Sequence, residues 1–147
     1  MQIDKLDIFY EDIQPLKLKK LELKNQLKIL INNELKKMGE ITIILCSDNY
    51  LLEMNRKYLN HDYFTDIITF DYVEEDIISG DLFISFERVI ENTKQFNTEI
   101  AKELYRVIFH GVLHLTGYND KTREEKATMK QKEDFYLSAV DFKDIVV

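Results

Sequence analysis

Two periods of hydrophobic residues alternate along this chain. Leu16, Leu23, Leu27, Leu30 and Ile31 recur at helical spacing, with Lys17, Lys20, Lys24 and Lys28 falling between them. Pro15 suits the start of that helix and Gly39 its end. Residues 40–46 (EITIILC) are β-branched and nearly all apolar, the pattern of a strand buried on both faces. Residues 2–10, 66–73 (DIITFDYV) and 80–86 (GDLFISF) read as three further strands. The acidic link at 74–79 between the last two reads as a hairpin connection. Ser47 or Asp48 can cap a helix running to about residue 58. Helices follow at 87–96, 98–115 and 122–137. Four strands and about five helices predict an α/β (α+β) layer fold built on one sheet.

A chain of 147 residues suits a single domain spanning residues 1–147. It is 45% hydrophobic and 12% aromatic, too apolar for a disordered chain. One cysteine excludes an intramolecular disulfide and fits a reducing compartment. No apolar run approaches the ~20 residues of a membrane span, and the acidic start is unlike a signal peptide. The expected location is the cytoplasm. The formal net charge of -7 disfavours holding nucleic acid by bulk charge alone. The charge is uneven, however. Residues 15–38 carry seven Lys against Glu22 and Glu34, so this stretch is basic within an acidic chain. It is either a solvated face of a core-packed helix or a phosphate-binding face.

The chemistry concentrates at 103–120, ELYRVIFHGVLHLTGYND. His110 and His114 stand at i and i+4, on one helical face, where two imidazoles can bind one metal ion. Gly117 lets the chain leave the helix and turn back. Asp120 is then placed to supply a third ligand from the returning loop, leaving a fourth position for water. The alternative is an ordinary pair of surface or core histidines. A zinc peptidase helix carries Glu after its first histidine, as general base; here that residue is Gly111. Hydrolysis must then recruit a base elsewhere or take help from the metal or a substrate phosphate. His61, in the loop NHDYFTD, reads as a surface or substrate-proximal histidine, and Cys46 as a small core residue.

The segment HGVLHLTGYND at 110–120 resembles the YbeY family of bacterial rRNA-maturation endoribonucleases, whose motif is H-G-x-L-H-L-x-G-Y-D-H. The resemblance continues upstream through Ser47, Asp48, Leu51, Asn55 and Tyr58, then through Asp62, Thr65, Asp66 and Phe70. Gly80, Asp81 and Leu82 follow, so it covers about residues 40–137. It implies a mixed sheet with helices on both sides and one Zn²⁺ held by His110, His114 and Asp120. It also implies single-strand-specific cleavage of rRNA, chiefly in 16S 3′-end maturation and ribosome quality control. The chain departs from the pattern in two places, at Asn119–Asp120, where Asn119 stands for the family's Asp, and at Leu59. Asp120 stands where the family has its third His, which lowers the site charge by one and predicts weaker Lewis acidity. Leu59 stands where the family has a cleft arginine.

Arg56, Lys57, Arg88 and Arg106 are the candidates to replace that arginine, and Arg106 lies one turn before His110. The resemblance implies that Ser47, Asp48, Thr65 and Asp66 line the cleft over the metal. Arg106, Asp66 and Ser47 are the expected catalytic groups. Lys17, Lys20, Lys24 and Lys28 are the expected guides for the RNA backbone, within a ribosomal small subunit or beside one of its proteins. The rival readings are a non-catalytic ribosome-assembly factor with a structural zinc, and a zinc hydrolase on another substrate, including peptides.

Overall fold

The computed structural model describes residues 4–145. Its elements are β1 (Lys5–Glu11), α1 (Lys20–Asn33), β2 (Lys37–Cys46), α2 (Asp48–Leu59), β3 (Ile67–Asp71) and β4 (Ile77–Ser85). Then come α3 (Phe86–Phe96), α4 (Ile100–Leu115), α5 (Arg123–Leu137) and a 3-10 turn, Phe142–Asp144. The sheet order is β1-β2-β4-β3. β1 and β4 both pair parallel to β2, and β3 returns antiparallel along the edge of β4. This is the single four-strand sheet with five helices that the pattern predicts, and it is mixed as the resemblance implies.

β2 has neighbours on both edges and is largely buried from Ile41 to Cys46, which is why that stretch is nearly all apolar. Ile41, Ile43 and Leu45 face one side, with Leu82 and Ile84 of β4. That side packs on Leu23, Leu27 and Leu30 of α1 and on Leu104, Ile108 and Val112 of α4. The other side, with Cys46 and Ile68, is covered by Leu51 of α2. Three helices begin on side-chain caps: Ser47 accepts from Tyr50 N–H, Ser85 from Arg88 N–H, and Thr122 with Glu125 makes a capping box.

Several boundaries differ from the sequence pattern. α1 begins at Lys20 rather than Pro15 and ends at Asn33, with Leu35 at φ 63 turning the chain. Lys17 therefore precedes the helix. Gly39 does not stop a helix; it lies inside β2, beside a register irregularity between Met38 and Ile41. A β carbon there would run into Ser79 Oγ and Ile77 Cγ2, so the glycine permits strand approach. β1 starts at Lys5 and extends to Glu11; residues 2 and 3 of the expected strand lie outside the described residues. β4 starts at Ile77 because the 74–79 link closes sooner than expected: Glu75 takes φ 55 and Glu74 bridges Ile77.

Candidate functional site

α4 runs across the sheet with its apolar face down. Gly111 is the point of closest approach. A β carbon there would lie 2.7 Å from Ile67 Cδ1 and 2.9 Å from Leu82 Cδ2. Glycine is thus favoured there by packing, since any side chain at that position must displace Ile67 and Leu82. One residue earlier and three later, His110 and His114 project into a cleft of about 310 Å³. The opposite wall is built from the α2–β3 loop and β3, including Leu59, His61, Tyr63 and Thr65. Asn119, Asp120 and Lys121 close the third side.

The end of α4 explains how the loop comes back. Gly117 takes φ +119 and Tyr118 N–H donates to Leu113 O while Gly117 N–H donates to His114 O. This double bond pattern is a Schellman closure, and it needs a residue free to adopt positive φ. The turn brings Tyr118 O to 3.1 Å from His114 Nδ1 and Asp120 Oδ2 to 3.5 Å from His110 Nε2. His110 Nδ1 lies 2.7 Å from Oε2 of Glu133 on α5. Both imidazoles therefore have an acceptor at Nδ1, which leaves Nε2 of each as the donor atom for the cleft. Metal-binding histidines are characteristically oriented by a carboxylate or carbonyl in this way.

The donor chemistry fits a divalent ion. Neighbouring ligand atoms around a tetrahedral zinc sit about 3.5 Å apart when bonds are near 2.1 Å, the separation of His110 Nε2 and Asp120 Oδ2. Among the described residues no group of three His, Cys, Asp or Glu side chains is already gathered at metal-binding range. His110 and Asp120 are the adjacent pair, and His114 lines the same cleft four residues along α4.

Glu133 is the residue that sequence reasoning missed. It is 7% exposed, and Arg106 Nη1 donates to its Oε1 at 3.0 Å. A signal for it existed: Met129, Glu133, Tyr136 and Leu137 form one buried helical stripe, with a carboxylate in an otherwise uncharged row. Burial works against the His110 charge, but the bond to and charge of Glu133, with Asp120 and Asp66, outweigh it and raise the His110 pKa. Asp66 is raised too, by burial first, partly offset by His110.

A second anchor lies behind Tyr118. Its hydroxyl donates to Glu34 Oε1 at 2.5 Å, Tyr136 donates to Glu34 Oε2, and the Lys132 ammonium sits 3.3 Å from that oxygen. Burial tends to raise the Glu34 pKa, but these partners outweigh it and hold the carboxyl below its ordinary range. Glu34 thereby ties the end of α1 to the loop that orients His114.

The other expected site residues are placed as follows. Thr65 lines the cleft. Ser47 caps α2 and donates to Asp12 Oδ2 at 2.7 Å, outside the cleft. Asp48 accepts from Arg88 at 2.7 Å and from Ser85. Asp66 is not on the cleft wall, though it lies within electrostatic reach of His110. Arg106 shares the His110 face of α4, but its guanidinium is drawn to α5, to Glu133 and to Asp134 at 2.6 Å. Arg56 is held by Glu53 and Asp62, and Lys57 lies over the Tyr58 ring. Lys121 is the cation on the cleft wall among the described residues. None of Lys17, Lys20, Lys24 and Lys28 lines the cleft; Lys20 pairs with Asp7 and Lys28 with Asp4. His61 does line it. Burial pushes the Cys46 thiol up to about 12, as befits an inert core residue.

Fold and cleft together define a class: a small α/β protein with a glycine-packed helix presenting two tethered histidines above a mixed sheet. The family model described as Endoribonuclease YbeY matches residues 9–141, and the chain belongs to that family. It is 48% identical over 130 residues to the "Endoribonuclease YbeY" of Parabacteroides distasonis, covering 88% of this chain and 92% of that one. To the protein of the same name from Cytophaga hutchinsonii it is 45% identical over 143 residues, covering 97% and 100%. The solution structure of a Thermotoga maritima protein superposes with a TM-score of 0.63 at 30% identity, covering 89% of this chain and 87% of that one. No helix among the described residues is long and apolar enough to cross a membrane.

Proposed function

We propose that this chain is a zinc-dependent endoribonuclease that cuts single-stranded rRNA, with 16S 3′-end maturation and ribosome quality control as its setting. The observation that carries the reading is the pair of imidazoles, each anchored at Nδ1 and each open at Nε2 to one cleft, in a chain of the endoribonuclease family. His110, His114 and Asp120 are the residues that would hold the ion. Bound there, it would supply Lewis acidity toward a phosphate oxygen and water made acidic enough to attack near neutral pH.

The chain's own residues do the rest. Glu133 keeps the His110 proton at Nδ1, and the Tyr118 carbonyl does the same for His114. Lys121 is placed to meet a phosphate at the cleft edge. Lys17, just before α1, and Lys24 on it contribute backbone contact, since Lys20 and Lys28 have acidic partners. With a net charge of -7, recognition is completed by the small ribosomal subunit or its proteins, in the cytoplasm. Peptide hydrolysis is disfavoured, because the packing at Gly111 works against the glutamate such an enzyme places there.

The sparse cations of the cleft favour one second reading, a non-catalytic assembly factor with a structural zinc. Elemental analysis of purified protein should find one zinc per chain, lost in a His110→Ala, His114→Ala double variant. Cleavage of rRNA fragments by the loaded protein separates enzyme from factor.

A further inference from the structure

The cleft has a wall that the metal donors do not use. Its loop joins α2 to β3, and the chain places Tyr58, Leu59, Tyr63 and Phe64 within seven residues, exposed by 55%, 41%, 56% and 49%. Tyr58 and Leu59 end α2 and Tyr63 and Phe64 lie in the loop that follows; of the four, Leu59 and Tyr63 line the cleft. Tyr63 and His61 lie nearly parallel, with ring centroids 5.1 Å apart and planes 21° from each other, and Tyr63 Oη meets His61 Nδ1 at 3.0 Å. Both rings line the cleft that holds His110 and His114.

The loop is built rather than loose. Asn55, 1% exposed, donates from Nδ2 to the Tyr63 carbonyl at 2.9 Å and accepts His61 N–H on its own carbonyl at 3.1 Å. Asn60 takes the left-handed φ of 55 that starts the turn. A buried amide thus fixes the backbone of Tyr63 while its ring stays exposed.

We propose that this loop is a base-stacking platform: an unpaired base of single-stranded RNA stacks on the Tyr63 ring, which itself lies against His61, and its phosphate is thereby held toward His110 and His114. The proposal rests on the RNA-cleaving reading above and names how that substrate is gripped. Charge argues for it. Lys121 is the cation on the cleft wall among the described residues, Arg56 is held by Glu53 and Asp62, and Arg88 pairs with Asp48 under the Phe64 ring at 5.5 Å. An acidic protein with engaged arginines needs a grip that does not depend on phosphate charge, and stacking on aromatic faces supplies one for any base.

The test is equilibrium binding of a labelled single-stranded RNA decamer, and of an abasic strand of equal length, to the full chain in chelator. Tyr63→Ala should weaken binding of the intact strand about tenfold, whereas Tyr63→Trp should preserve it. The abasic strand should bind weakly and be indifferent to either substitution. Equal affinity for both strands, equal binding by the Tyr63→Ala and parent proteins, or no binding of either strand would overturn the platform. In the second case the loop is free for a protein partner instead. Cleavage by zinc-loaded parent protein is read separately. Cleavage without base-dependent binding removes the platform and leaves the nuclease; base-dependent binding without cleavage removes the nuclease and leaves the platform.

Discussion

His110 Nδ1 lies 2.7 Å from Glu133 Oε2, a bond that joins the histidine-bearing helix α4 to α5. Glu133 in turn holds Arg106, so histidine, carboxylate and guanidinium form a line leading away from the cleft. The carboxylate's role is to fix the ring orientation and leave Nε2 free. Glu133→Gln keeps the shape and removes the charge. Zinc affinity, measured by competition with a chromophoric chelator, should fall about 10–100-fold. Unchanged affinity would mean that Glu133 serves only to hold Arg106.

Gly111→Ala tests the packing that sets α4 on the sheet. The added β carbon meets Ile67 Cδ1 at 2.7 Å and Leu82 Cδ2 at 2.9 Å. These are side-chain ends that can shift, so the cost in urea unfolding should be about 1–3 kcal/mol rather than loss of the fold. Gly117→Ala is the contrasting case. Nothing lies within 4 Å of its β carbon, so its cost comes from the φ of +119 alone, about 1–3 kcal/mol.

Stability should respond to acid through Glu34. Its folded pKa is held below the ordinary 4.5, so it contributes stability above that value and loses it as pH falls through the folded pKa. The melting temperature of the parent protein should therefore drop more steeply below about pH 4.5 than that of Glu34→Gln. Parallel curves would show that the Tyr118, Tyr136 and Lys132 contacts are not selective for the charged form. Because Tyr118 O orients His114, the same variant should also bind zinc several-fold more weakly.

What the sequence made legible was whatever depends on local pattern. The apolar run of β2, the i,i+4 spacing of His110 and His114, and the Gly117 stop are all short-range signals, and each appears in the structure. What it hid depends on contacts between elements. Gly39 has the pattern of a helix stop, whereas it answers to Ser79 across the sheet. Arg106 looked free one turn before His110, and only the docking of α5 shows Glu133 and Asp134 claiming it. Ser47 carries one hydroxyl with several possible uses, and the helix start at Asp48 takes it. Glu133 was visible only as a charge out of place in a buried stripe.

The central claim is that His110, His114 and Asp120 serve RNA cleavage. Zinc-loaded parent protein and an equally folded His114→Ala protein should be incubated side by side with a single-stranded rRNA fragment, and the products resolved on a gel. The account predicts discrete cleavage by the parent protein, abolished by chelator and reduced at least a hundredfold in the variant. Equal cleavage by both proteins, or an intact fragment with fully loaded parent protein, would contradict it.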